Sequence, residues 1–205
     1  MNKFFIDLGG HDGCSIRKFK NEYDTCNNYC CYTFEPNKVY TSFYSNIKNH
    51  TLLSKAAYIY DGNIEMNMDR NHGGFGSSLI KEKKDRSIGQ LDRKNPDIVE
   101  CVDFSKWIKD NFNESDNIIL KMDIEGSEYD IIEKMIKEGT IKYINKLFIE
   151  WHNKKLDMKN IEERHNILLD NLKKMDIIMD DTWCAIKYST TYKQSPYYGK
   201  KWDEL

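Results

Sequence analysis

The chain has 205 residues, 40% hydrophobic and 31% charged, with 31 basic against 33 acidic side chains and a net charge of −2. That length suits a single domain over 1–205, and the balance lacks the basic excess expected of a nucleic-acid binder. No apolar run approaches the roughly 20 residues that span a bilayer, and no signal-peptide pattern stands at the start, so a cytoplasmic protein with no membrane partner is expected.

Six cysteines, Cys14, Cys26, Cys30, Cys31, Cys101 and Cys184, include no second close-set pair of the kind a structural zinc site uses, and they read as reduced thiols. Asn49-His-Thr51 and Asn113-Glu-Ser115 match the glycosylation pattern by chance on this reading.

Along the chain, 4–8 predicts a buried strand, 14–20 a short helix and 32–35 a second strand. Residues 38–48 predict a helix with Val39, Phe43 and Ile47 on one side. Residues 57–60 predict a third strand closed by the Asp61-Gly62 turn, with 63–68 pairing back. Residues 69–95, with Gly73-Gly74-Phe75-Gly76-Ser77-Ser78 and a charged run, read as a long functional loop, His72 and 73–78 forming a lid. A helix over 103–112 carries Phe104, Trp107 and Ile108, and a strand over 118–122 ends at Asp123. Residues 128–138 predict a helix with Ile131, Ile132, Met135 and Ile136 on one face and Gly139 as its C-terminal cap. A strand over 147–150, a helix over 159–175 and a hairpin of 176–180 with 183–188 follow, then a tail over 189–205.

Alternating strands and helices predict an α/β fold with a mostly parallel sheet and one C-terminal antiparallel hairpin strand. Ligands of such folds bind beyond the carboxyl ends of the strands, where strand order reverses. Four strands end in or just before an acid: Asp7, Glu35, Asp123 and Glu150. Acids gathered on one sheet edge serve stability poorly and point to a site. The turn Asp7-Leu8-Gly9-Gly10-His11-Asp12-Gly13 lacks the glycine at 11 that a G-x-G-x-x-G dinucleotide turn requires, and its acids repel phosphate. It suits a cationic ligand with an amino-acid tail, of which S-adenosylmethionine (SAM) is one; a nicotinamide-dependent oxidoreductase is disfavoured.

FIDLGGHDG at 5–13, YTFEPN at 32–37, NIILKMDIEGSEYDII at 117–132 and LFIEWH at 147–152 together resemble the FkbM-type family of SAM-dependent methyltransferases. The resemblance covers residues 4 to 152 and rests most on Lys-Met-Asp-Ile-Glu-Gly-Ser-Glu. It implies a Rossmann-like methyltransferase fold, with Asp7, Gly9, Gly10, His11, Asp12 and Gly13 around the methionine of SAM. Glu35, with Asn37 beside it, would hold the ribose diol, Ala56-Ala57 would lie near the adenine, and Asp123 beside the reacting methyl group. It further implies O-methylation of a sugar, glycan or related small molecule.

Such a reaction needs an aligned acceptor and a route for its proton. Asp123, Glu125 and His152 are the candidate catalytic residues, and Asp123, Glu150 and His152 are candidate ligands for Mg²⁺ or Mn²⁺. The plainer expectations are a His152 ring packed beside Trp151, a Glu128 that serves the start of its helix, and a Lys121 paired with a carboxylate. Trp107, Tyr197, Tyr198 and Trp202 are candidates to stack on a sugar, with core packing favoured for Trp107. Cover for the site is expected from 69–95 or a second copy of the chain. An N- or protein-directed methyltransferase and a non-catalytic scaffold are the alternatives.

Overall fold

A computed structural model describes residues 1–70, 74–85, 90–175 and 177–184. In chain order the elements are β1 (Lys3–Leu8), α1 (Cys14–Glu22), β2 (Cys30–Phe34), β3 (His50–Leu53), β4 (Ala56–Tyr58), β5 (Gly62–Asp69) and β6 (Leu91–Asp103). Then come α2 (Phe104–Asn111), β7 (Asn117–Met122), α3 (Glu128–Glu138), β8 (Ile144–Ile149), α4 (Ile161–Lys173) and β9 (Ile178–Asp180). The main sheet runs β3-β2-β1-β7-β8-β9 and all its pairings are parallel. This is the Rossmann-like arrangement expected. Strand order reverses between β1 and β7, where the Asp123 N–H reaches the Leu8 carbonyl at 3.2 Å.

Both faces of the sheet are buried, which explains why its central strands read as continuous apolar runs. Ile6, Leu8, Leu120, Met122, Leu147 and Ile149 pack with α2, α3 and α4 on one side. Phe5, Ile119 and Phe148 meet Ile16, Phe19 and Trp183 on the other. Local chemistry sets the helix ends. Asp103 caps α2 by accepting from the Lys106 N–H at 3.2 Å, and Gly139 ends α3 in a left-handed conformation.

Three expectations are corrected. The third strand of the main sheet is β3, whereas 56–58 belongs to a separate three-stranded sheet of order β4-β6-β5. The end of the expected loop, 91–95, opens the 13-residue strand β6, which runs antiparallel to β5 with an irregularity between Met66 and Met68. Residues Lys38–Tyr44 form a 3-10 helix that buries Tyr40 and Tyr44 and leaves Val39 exposed, because the Tyr44 hydroxyl is drawn in to the His11 carbonyl. The strand β9, the first arm of the expected hairpin, is parallel to β8, and most of the second arm, 185–188, lies outside the described residues, as do His72, Gly73 and the tail. No described helix is long and apolar enough to cross a membrane.

Candidate active site

The glycine turn leaves β1 at the reversal point. Gly9 has φ +78°, and a Cβ there would lie 2.1 Å from the Asp123 carbonyl oxygen. A Cβ on Gly10 would lie 2.2 Å from Thr33 Cγ2 and 2.4 Å from the Tyr44 hydroxyl. Both glycines are therefore demanded by the protein's own atoms, which let the turn pass between the ends of β2 and β7.

The two acids of the turn point into the fold. Asp7 sits opposite Lys121 in the β1–β7 register, fully buried, with Oδ1 3.0 Å from the lysine ammonium and Oδ2 accepting from Ser15 Oγ. Lys121 also donates to the carbonyls of Leu8 and Gly9, at 3.2 and 2.6 Å. Burial works to lower its pKa, but Asp7 and Asp123 outweigh it and hold the ammonium above its usual range. The expected pairing of Lys121 with a carboxylate is thus present. Asp12 receives the Cys14 N–H at 3.1 Å and lies 3.9 Å from the buried Arg17 guanidinium.

Glu35 ends β2 and takes the His11 N–H on Oε2 and the Asn37 N–H on Oε1, each at 2.8 Å. Burial raises its pKa. Asn37 then caps the 3-10 helix through Val39 N–H. The His11 ring packs against Tyr40 and Phe75, each centroid 4.0 Å away. Ala57 is packed in the main core. Trp107 stands edge-on to Phe34 and Tyr32, in the core role favoured for it.

The second half of the site comes from the ends of β7 and β8. His152 is fully buried, and its Nδ1 lies 2.6 Å from Glu128 Oε1. Glu128 also accepts the N–H groups of Ile124 and Gly126, at 3.1 and 2.8 Å. It therefore serves the start of α3, as expected, and orients the ring as well. On the other side Nε2 faces Glu125 at 3.4 Å, Glu150 at 3.4 Å and Asp123 at 3.6 Å. No described group hydrogen-bonds to that nitrogen. Burial opposes the charged ring, but Glu128 and Glu125 prevail and raise His152 well above its usual pKa. Burial raises Asp123 to about 6 against the pull of Lys121. Glu150, despite burial, is held down at about 2 by His152 and Lys155.

Glu125 adopts φ +56°, a left-handed conformation unusual outside glycine, which turns its carboxylate into the cluster. The potential ligand atoms of Asp123, Glu125 and His152 all lie within 4.8 Å of one another. Glu125 thus joins the group in which Glu150 was expected, and Glu150 stands beside it, 3.0 Å from the Lys155 ammonium. Sequence reasoning missed two lysines. Lys83, from the segment before β6, is only 1% exposed and bonds Glu125 Oε2 and the Gly76 carbonyl. Lys155 follows β8. Nothing in Lys81-Glu82-Lys83-Lys84 marks one lysine for burial; the ordinary reading of such a run is a solvated face.

Beyond β2 and β3 opens a groove of about 600 Å³ lined by Pro36, Asn37, Ser54, Met68 and Ile98, among others. It begins one residue past Glu35. No curated protein and no solved structure matches the chain significantly. A family model described as the methyltransferase FkbM domain matches residues 7–179, most of the chain, and the chain belongs to that family of methyltransferases.

Proposed function

We propose that the protein transfers the methyl group of SAM to a hydroxyl of a sugar, glycan or related small molecule. The observation that carries this reading is the His152 cluster: three partly buried carboxylates converge on one buried ring nitrogen at the strand ends, beside the glycine turn. Bound SAM would supply an electrophilic methyl group on a sulfonium. Its fit is supported at the nucleoside end. Each Glu35 oxygen accepts one backbone N–H, and each keeps a lone pair for one hydroxyl of a vicinal diol. Asp7 and Asp12 support the turn from within, through Lys121 and Arg17.

The acceptor's hydroxyl binds at the mouth of the cluster. Asp123, at the end of β7, accepts its hydrogen bond and then its proton. Glu128 holds His152 in place, with Nε2 facing the carboxylates. The segment carrying Phe75, Ile80 and Lys83 covers this edge, with Ile80 set against Gly126, and it excludes water from the reaction.

The test is calorimetric titration with SAM and with NAD, followed by incubation with SAM and a panel of polyols. The expected result is SAM binding on the order of micromolar, no NAD binding, and a methyl ether on an acceptor. Glu35→Ala should weaken SAM binding by about tenfold or more. Absence of SAM binding, or NAD binding in its place, overturns the reading.

A further inference from the structure

The geometry points to a divalent cation site formed by Asp123, Glu125 and His152, selective for a Mn²⁺-class ion and facing the acceptor. Its role toward an acceptor rests on the O-methylation reading; its existence does not. Four carboxylates, those of Asp123, Glu125, Glu128 and Glu150, surround the His152 ring. Two ammonium groups answer them: Lys83 on Glu125, and Lys155 on Glu150 at 3.0 Å and near Glu125 at 3.9 Å. Two negative charges remain uncompensated around a buried ring.

The ring is set up to help balance them as a ligand. Glu128 is fixed as an acceptor by two backbone N–H groups, so it takes the proton of Nδ1. That arrangement turns the Nε2 lone pair toward the carboxylates, and a carboxylate behind a histidine is the usual support of a metal-binding imidazole. Nε2 is buried with no described hydrogen-bond partner, which is the independent sign that something belongs there. Two carboxylates and one imidazole suit Mn²⁺ better than Mg²⁺, which favours oxygen ligands alone. Three protein ligands leave coordination positions for the oxygens of a diol. If Asp123 ligates through Oδ1, the oxygen near His152, Oδ2 remains to accept the acceptor's proton.

Mn²⁺ binding to the full chain, without SAM or acceptor, is read by loss of the free-ion electron paramagnetic resonance signal. One ion should bind per chain. Glu125→Gln and Asp123→Asn should each weaken binding about tenfold or more, and Glu128→Gln, which acts through the ring, by about tenfold. Lys83→Met removes a competing positive charge from Glu125 and should tighten binding. Circular dichroism of each variant confirms folding. Absence of Mn²⁺ binding at millimolar concentration, or binding unchanged in folded Glu125→Gln and Asp123→Asn, overturns the site and leaves a second proton on His152 as the balancing charge. Mn²⁺ binding without SAM binding would sink the O-methylation reading alone, and SAM binding without Mn²⁺ binding would sink the cation site alone.

Discussion

Replacing Lys121 by Met tests whether the first motif acid is part of the framework. Lys121 Nζ lies 3.0 Å from Asp7 Oδ1, and the two residues are 3% and 0% exposed. No other described group hydrogen-bonds to Asp7 Oδ1. Methionine keeps the length of the side chain and removes the charge. It leaves a buried carboxylate without its cation and deprives the Leu8 and Gly9 carbonyls of a donor. Breaking a buried pair from one side costs about 3–5 kcal/mol. Asp7→Asn, which keeps an acceptor for Lys121, should cost about 2 kcal/mol. In the double variant both charges are gone, so its loss should fall short of the sum by about 2 kcal/mol. Urea denaturation followed by circular dichroism at pH 7 reads all three. The folded pKa of Lys121 is raised above 10.5, so its contribution is fully present below the unfolded value and lost only as pH rises beyond it. A loss below about 1 kcal/mol, or losses that simply add, would refute the assignment of Asp7 to the framework.

Other outcomes follow from single positions. Gly9→Ala must part β1 from the Asp123 carbonyl, 2.1 Å from the new Cβ, and should cost about 3 kcal/mol or more. Gly139→Ala, at φ +74° but with nothing within 4 Å, should cost only the left-handed strain of about 1–2 kcal/mol; equal losses in the two unfolding curves would show that the close approach at Gly9 is not what matters. His50 is held down at about 4 by burial and meets Thr33 Oγ1 at 2.9 Å. Its folded pKa lies below its unfolded value of 6.5, so its contribution, at most about 3 kcal/mol, is complete above that value and lost as pH falls toward 4. The stability gap between the wild type and His50→Gln should therefore shrink from pH 7 to pH 4.5, and a gap independent of pH would exclude the mechanism.

Elements with a strong local signal were legible. In α3 the apolar spacing of Ile131, Ile132 and Met135 and the cap at Gly139 agree, and its bounds match the expectation. β7 and β8 read as buried runs because helices cover both faces of the sheet. β3 was not legible: His-Thr-Leu-Leu is four residues long, sits at the sheet edge and is half-exposed. β6 was hidden for a different reason. Leu-Asp-Arg-Lys-Asn-Pro-Asp has no alternation, and it becomes strand because β5 lies beside it and the ladder shifts register around the proline. In the site, Asp123, Glu150 and His152 were visible as residues at strand ends. Glu125 was legible as a candidate on the same loop as Asp123, whereas the burial of Lys83 depends on how a distant segment folds back, which no local pattern encodes.

The acids of this edge divide by where their cations come from. Asp7 is answered by Lys121 on the neighbouring strand, and Asp12 by Arg17 on the helix that follows the turn. Those cations are part of the sheet and α1, so they stay whether or not a ligand is bound. Glu125 and Glu150 are answered by Lys83 and Lys155, which lie on the covering segment and on the short turn after β8. An acid that must receive a proton or a cation from outside cannot be neutralised for good by the framework, because the buried charge would then have no reason to exchange its partner. Lysines on the segment before β6 and on the turn after β8 instead lower the cost of crowding these carboxylates together. Asp123 lies between the two groups, close enough to Lys121 to be pulled down and close enough to Glu150 to be pushed up. It is a strand-end acid on which both the framework and the His152 cluster act.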